Sequence, residues 1–313
     1  MRFATATLEG DSMEAVVMHE TGDPDVLHLE EVEQPEPSEG EVLIKVHASS
    51  VNPFDWKQRR GMAEVSLPAV LGSDVSGTAE VSRAPDFAEG DEVFGMANSG
   101  AYAEFATAAA AVIAKKPGAV SHEQAAAIPV AGLTAWQALF DRGGLESGQT
   151  VLIAGAAGGV GHFAVQFAKH AGARVVGTGS SRNRDFVLGL GADEYVDYTE
   201  QDVAEAVSDV DVVFDTVGGE TTESLVPVLR EGGILVTIAA APPEDAARER
   251  GARAELLVMG PSSDQLARIA ELVAAGEVRI ELAEVLPLNE VQRAHELSES
   301  GHTRGKIVLT LAT

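Results

Sequence analysis

The stretch from Val151 to Lys169 leaves this chain few folds to choose from. Leu152-Ile153-Ala154 is a short apolar strand, Gly155-Ala156-Ala157-Gly158-Gly159-Val160-Gly161 follows, and Phe163, Gln166, Phe167 and Lys169 then begin an amphipathic helix. A strand that passes through glycines straight into a helix brings backbone N–H groups and the positive end of a helix dipole to one point, where a pyrophosphate can sit. Gly158 and Gly159 permit close backbone approach to the phosphates, and Gly161 lets the helix lie tight on the strand. Arg174–Val176 reads as the next strand and closes a βαβ unit of about thirty residues. This context on both sides predicts dinucleotide binding on a parallel sheet.

The end of that second strand selects the dinucleotide. An Asp or Glu there would hydrogen-bond the ribose of NAD, whereas cations and hydroxyls accept a 2′-phosphate. Ser180, Ser181, Arg182 and Arg184 stand there, and the first carboxylate is Asp185. The expectation is NADP(H).

From Met13 to about Pro117 the pattern is short strands divided by turns, at Ala15–Met18, Leu27–Glu31, Glu41–Ser50, Val75–Val81, Asp91–Gly95 and Tyr102–Ala106. Val42, Ile44 and Val46 alternate with Leu43, Lys45 and His47, as in a sheet with one buried face. After Ser121 the character changes to helices at His122–Ile128 and Leu133–Asp141. Strands at 151–155, 173–178, 194–197, 210–215 and 233–239 then alternate with helices at 160–171, 182–190, 200–207 and 220–230. Such alternation predicts an α/β domain with a doubly wound parallel sheet. A strand at Ala254–Met259 and a helix at Ser263–Ala275 finish it. The tail carries a helix at Glu290–Ser300, with Asn289 as its N-cap, and a strand at Lys306–Leu311. The expected organisation is a leader outside the fold at 1–12, a mainly β unit at 13–128, the nucleotide domain at 129–276, and a tail at 277–313 that rejoins the first unit.

Composition narrows the function classes. The 313 residues are 45% apolar and 23% charged, values of an ordinary globular chain. No apolar run approaches the roughly twenty residues of a membrane span, and the leader lacks the apolar core of a signal peptide. A net charge of −27 repels nucleic acid and anionic lipid. The acidic run from Glu30 to Glu41 lacks the spacing of a calcium loop and reads as a solvated connection. With no cysteine, disulfides, thiolate metal sites and cysteine nucleophiles are excluded, and a reducing cytoplasm is the expected location. The eight histidines show no metal-ligand spacing.

With these pieces placed, the chain resembles the zinc-free quinone oxidoreductase branch of the medium-chain dehydrogenase/reductase superfamily, and within it the plant-type alkenal and enone oxidoreductases. The resemblance runs from Met13 to Leu311. It is carried by Val51-Asn52-Pro53-Phe54-Asp55-Trp56-Lys57, Leu71-Gly72-Ser73-Asp74-Val75-Ser76-Gly77, Gly90-Asp91-Glu92-Val93-Phe94-Gly95, Gly132-Leu133-Thr134-Ala135 and the glycine turn. Leu190-Gly191-Ala192-Asp193, Asp211-Val212-Val213-Phe214-Asp215-Thr216-Val217-Gly218 and Gly305-Lys306-Ile307-Val308-Leu309 complete it. It implies a GroES-like β-barrel-type catalytic domain, a Rossmann domain and a homodimer. Zinc-bearing relatives carry Cys near position 52 and His-Glu where Ser73-Asp74 stand; this chain has neither. The Tyr-x-x-x-Lys pair of short-chain dehydrogenases is absent as well.

The resemblance also implies roles. Ala157, Gly158, Gly159 and Val160 hold the pyrophosphate; Ser180, Ser181, Arg182 and Arg184 meet the 2′-phosphate, with Tyr198 stacking nearby. Thr134, Val217, Ile238, Ala239 and Ala240 line the nicotinamide, and Lys57, Gly305 and Lys306 contact the cofactor. Asn52, Asp55, Lys57 and Ser73 surround the reacting oxygen, with Lys57 as the main electrostatic group and Asp55 orienting it. The expected activity is metal-independent NADPH reduction of quinones or of the β-carbon of α,β-unsaturated carbonyls, mostly by positioning, with a proton from solvent. Two alternatives stay open: a non-catalytic NADPH-binding sensor or structural protein, and an enoyl-thioester reductase, which calls for a basic entrance. The region Pro242–Arg253 is unlike the family.

Overall fold

The computed structural model describes residues 11–311. The expected leader lies outside them apart from its last two positions, and there Ser12 already pairs with Glu33 across an antiparallel ladder. The first unit holds β1 (Ser12–Met18), β2 (Leu27–Glu33), β3 (Glu41–Val51), β4 (Ala69–Val70), β5 (Asp74–Ser82), β6 (Glu92–Met96), β7 (Phe105–Ala109) and β8 (Ile113–Lys115). Two short helices belong to it, α1 (Pro53–Arg59) and α2 (His122–Ala126). The strand expected at Tyr102–Ala106 runs instead over Phe105–Ala109. Leu43, expected on an open face, is buried, because β3 is an interior strand with α2 packed across it.

Helix α1 was not foreseen, yet its start has ordinary grammar. Asn52 occupies the N-cap with Pro53 in the first turn, and the Asn52 N–H donates to Asp55 Oδ2 at 2.7 Å, one arm of a capping box.

The second unit is a six-stranded parallel sheet of β9 (Thr150–Ala154), β10 (Arg174–Gly179), β11 (Glu194–Asp197), β12 (Val210–Asp215), β13 (Leu229–Thr237) and β14 (Arg253–Leu256), in the order β11-β10-β9-β12-β13-β14. Its helices are α3 (Pro129–Trp136), α4 (Gly161–His170), α5 (Arg184–Gly189), α6 (Val203–Ala206), α7 (Glu220–Ser224), α8 (Glu244–Glu249) and α9 (Ser263–Ala274). In β9, Val151 and Ile153 join one hydrophobic cluster while Leu152 and Ala154 join another, so both faces are covered. The helix expected over 220–230 stops at Ser224. Pro227 lacks the N–H that an α-helix would need there, and the chain passes through a 3₁₀ turn at Val226–Val228 into β13.

The tail returns as β15 (Leu282–Pro287), α10 (Val291–Glu299) and β16 (Lys306–Thr310). A 3₁₀ turn at Leu288–Glu290 precedes α10 and makes Glu290, not Asn289, its N-cap. Strand β16 lies between β15 and β3 in a seven-stranded sheet and pairs antiparallel with β3, Ile307 opposite Val51. The Arg59 guanidinium is wholly buried and donates to Glu299 on α10 at 2.6 Å, which pins α1 to the tail.

Beside that pair, His295 is fully buried with both ring nitrogens unpartnered, its ring edge-on to Tyr102. Burial and the Arg59 charge push its pKa down to about 3. The folded state therefore holds a neutral imidazole, while the unfolded chain takes a proton below its ordinary value of about 6.5. This contribution is complete above that value and is lost as the pH falls towards 3. Melting temperatures recorded between pH 7 and pH 5 should fall less steeply for His295→Phe than for the parent chain.

Candidate active site

The carboxyl ends of β9, β10, β12 and β13 open into a cleft of about 750 Å³ closed from the other side by α1 and β16. This is where the strand order reverses about β9, the place where doubly wound sheets bind ligands. Gly155 has φ +74°, and a Cβ there would lie 2.4 Å from Thr216 Oγ1. A Cβ on Gly161 would lie 2.1 Å from Gly155 O, so the first turn of α4 packs directly on the end of β9. Ala157, Gly158, Gly159 and Val160 line the cleft above that helix start. Behind them, His162 Nδ1 donates to Gly158 O at 3.0 Å, and burial lowers this imidazole to about 4. The cradle fits the pyrophosphate of a dinucleotide.

At one end of the cleft, Ser180, Arg182, Asn183 and Tyr198 form the wall. Ser181 and Arg184 do not reach it; the Arg184 guanidinium lies over the Tyr195 ring, 5.2 Å from its centroid. A residue absent from the sequence reading arrives from the tail. Arg304 donates through Nη2 to Arg182 O at 3.1 Å and through Nε to Asn183 Oδ1 at 3.4 Å, with its guanidinium 4.9 Å from the Phe186 ring centroid. Arg182 Nη2 in turn donates to His302 O at 3.0 Å. Farther in, Gly305 N–H donates to Ala157 O at 3.0 Å, which ties the tail to the glycine turn itself.

The inner floor is a buried polar network. Asp74 Oδ2 accepts from Ser50 Oγ at 2.5 Å and Asn52 Nδ2 at 2.8 Å, and its Oδ1 accepts from the Val130 N–H in the first turn of α3 at 2.9 Å. Lys306 Nζ donates to Asn52 Oδ1 at 2.5 Å and to Val51 O at 3.3 Å, and lies 3.7 Å from Asp74 Oδ2. Asp55 Oδ2 accepts from Tyr102 OH at 3.1 Å as well as from the Asn52 N–H, while its Oδ1 is buried without a partner. Burial, reinforced by the Asp74 charge, raises the Asp55 pKa to about 7.

Several expected contacts are not made. Asp55 does not orient Lys57, because its carboxylate turns back onto the helix start and Tyr102. Lys57 is half-buried, outside the cleft, with its ammonium 5.8 Å from the Trp56 ring centroid. Ser73 contributes only a backbone carbonyl, which accepts from Ala97 N–H at 2.8 Å. Thr134 spends its hydroxyl on Val130 O at 2.6 Å within its own helix, and Ala131 lines the cleft instead. Of the segment after β13, Ile238 faces the cleft, whereas Ala239 lies against Gly218 and Ala240 is off the wall. Val217, Gly305, Lys306 and Asn52 do line it. Asp74 and Tyr102, unassigned from the sequence, hold the floor together.

Fold and cleft define a class: a two-domain oxidoreductase of the medium-chain dehydrogenase/reductase superfamily. Residues 38–118 match the alcohol dehydrogenase GroES-like domain family, and residues 190–309 match a family described as zinc-binding dehydrogenase. The chain is 35% identical over 304 residues to the chloroplast envelope quinone oxidoreductase homolog of Arabidopsis thaliana, covering 89% of this chain and 92% of that one. It is 33% identical over 318 residues to the chloroplastic NADPH-dependent alkenal/one oxidoreductase of the same plant, covering 95% and 79%. The solved quinone oxidoreductase from Coxiella burnetii superposes with a TM-score of 0.91 at 36% identity, over 96% of this chain and 100% of that one. The chain belongs to the zinc-free quinone oxidoreductase branch of that superfamily. Zinc does not fit the floor: Asn52 spends its amide on Asp74 and Lys306, and among the described residues no group of His, Cys, Asp and Glu is arranged to hold a metal.

Asp215, fully buried at the end of β12, shapes the opposite wall. Its Oδ1 accepts from the Val217 and Gly218 N–H groups, and its Oδ2 from the Thr222 and Thr237 hydroxyls. Asp215→Ala would leave all four donors unpaired, at a cost of about 3 kcal/mol. A thermal melt should show that loss, and a fluorescence titration should show nucleotide affinity falling about tenfold as Val217 loses its support.

Proposed function

We propose that this oxidoreductase uses NADPH to reduce quinones or the conjugated double bond of α,β-unsaturated carbonyls, without a metal. The observation that carries the cofactor choice is the end of the cleft at Ser180–Asn183. It offers the Ser180 hydroxyl and the Arg182 guanidinium, and the one carboxylate on that wall, Asp202, caps α6 through the Ala204 N–H. The substrate class follows from the relatives named above and from a floor where Asn52 and Lys306 line the cleft while Asp55 and Tyr102 do not. A reducing, cytoplasmic location completes the reading. Among the described residues no helix is long and apolar enough to cross a membrane.

The residues divide the work by position. N–H groups of the glycine turn and the start of α4 bind the pyrophosphate. Ser180 and Arg182 bind the 2′-phosphate, with Tyr198 beside them. Val217 and Ile238 form the wall that orients the nicotinamide and excludes water. When bound, NADPH supplies the hydride. Asn52 and Lys306 line the inner floor of the cleft, and solvent supplies the balancing proton.

Steady-state NADPH oxidation with 1,4-benzoquinone and methyl vinyl ketone tests the activity; tight NADPH binding without turnover on either acceptor would favour a sensor. Arg182→Ala should raise the NADPH dissociation constant about tenfold or more and leave that for NADH within about threefold, as expected when a charge-assisted hydrogen bond worth about 1.5–3 kcal/mol is lost. Equal losses for both nucleotides would refute the 2′-phosphate role.

The homodimer belongs to the same reading. Strand β14 is a sheet edge; its last residue, Leu256, is 46% exposed, and Val258 just beyond it is 80% exposed. Apolar side chains on an open edge fit the same edge of a second copy about a two-fold axis. Val258→Asp should convert a dimer to a monomer in light scattering; a parent chain that is already monomeric would overturn the assignment.

A further inference from the structure

One region of the surface carries positive charge without a counter-charge. In this acidic chain most arginines lie against carboxylates, as Arg60 does on Asp23 and Glu299, Arg230 on Asp211 and Arg293 on Glu290. Arg182, Arg184, Arg279 and Arg304 are exposed, and among the described residues none of them forms a salt bridge. Neutral groups hold them instead. Arg182 Nη2 donates to His302 O at 3.0 Å, and the Arg184 guanidinium lies 5.2 Å from the Tyr195 ring centroid. Arg279 and Arg304 both rest on Phe186, their guanidinium carbons 5.8 and 4.9 Å from its ring centroid. A carbonyl oxygen or an aromatic face fixes a guanidinium without cancelling its charge.

The cluster adjoins the cleft. Arg182 lines the outer end, Arg304 Nη2 donates to Arg182 O at 3.1 Å, and Phe186 on α5 joins Arg304 to Arg279. Arg279 follows α9, and its backbone is fixed on α4: its N–H donates to Gln166 Oε1 at 2.8 Å and its carbonyl accepts from Gln166 Nε2 at 2.9 Å. Its guanidinium forms no hydrogen bond among the described residues, so it contributes charge more than shape. Carboxylates of the surrounding elements are engaged elsewhere. Asp193 accepts from Lys169 Nζ at 2.6 Å, Glu277 meets His170 Nδ1 at 3.0 Å, and Asp197 Oδ1 accepts from the Thr199 hydroxyl at 2.6 Å. On α5 itself the one carboxylate is Asp185.

We propose that these four arginines capture NADPH before it seats, so that the preference for the phosphorylated dinucleotide is exerted on the association rate, with Arg279 and Arg304 acting ahead of contact. The inference rests on the NADPH reading given above. A phosphate monoester carries a charge of about −1.5 to −2 at pH 7, and NADH has none at the 2′ position. With a net charge of −27 the molecule as a whole repels either dinucleotide. At an ionic strength of about 0.1 M, however, charges more than about 10 Å away are largely screened, and a nucleotide nearing the outer end meets the local arginines. Local fields of this kind raise association rates by about tenfold to a thousandfold.

The test uses the full chain and stopped-flow fluorescence of NADPH and of NADH. Arg279→Glu should slow NADPH association about tenfold at about 0.1 M ionic strength and less than about twofold at about 1 M, where the screening length is about 3 Å. NADH association should fall by no more than about threefold at the lower ionic strength, and the NADPH dissociation rate should stay within about twofold of the parent. Arg279→Gln should slow NADPH association about threefold, and Arg279→Lys should leave it unchanged. Parent-like NADPH association in Arg279→Glu at the lower ionic strength would overturn the proposal, and so would a slowing that persists at the higher one, which marks a local distortion. A parent chain that binds NADH and not NADPH overturns the cofactor reading itself, whereas a parent selective for NADPH with either of those two outcomes in Arg279→Glu overturns only the capture role.

Discussion

The structure depends on one buried carboxylate. Asp74 is wholly inside the protein, where an isolated charge is expensive and a satisfied one is rigid. Its two oxygens collect donors from β3, from the start of α1 and from the first turn of α3, and the tail brings Lys306 alongside. Those donors belong to two stretches far apart in the chain, Ser50–Asn52 and Val130, one in each structural unit. Separating the units would uncover the charge, so the inner end of the cleft has one geometry. The outer end is tied differently, by Arg182 and Arg304 bound to neutral backbone carbonyls at the surface.

This placement also reconciles a strongly acidic chain with an anionic ligand. A net charge of −27 discourages polyanions at a distance. Surface charges are screened beyond about 8 Å at physiological ionic strength, however, and inside the cleft the local groups dominate. Cations stand at its two ends, Arg182 at one and Lys306 at the other. A small ligand with phosphates thus meets positive charge at the mouth of the cleft and again at its floor.

How far the sequence could be read depended on whether the signal was local. The glycine turn and the alternating strands and helices are contiguous patterns, and the structure has the parallel sheet they implied and the GroES-like unit that the family resemblance implied. Helix α1 went unread although Asn-Pro-x-Asp is a helix start, because the same four residues were weighed as chemistry. That choice also misdirected Asp55 and Lys57. Asp74 carries no local pattern beside Ser73; a buried acid announces itself only through donors brought from other segments. Arg304 had no readable signal at all, since only the return of the tail carries it to the Arg182 loop. Pro227 did carry a signal, and it marked where the expected long helix would break.

The site's inner cation is 255 residues from the strand whose carbonyl it touches. Strand β16 fits between β15 and the second half of β3, whose first half pairs with β7, so the edge of β3 is complete only with a strand from the tail. One short strand from the far end of the chain thus brings both Gly305, tied to the glycine turn, and the cation of the inner floor, so that the cleft is complete only when that strand has docked.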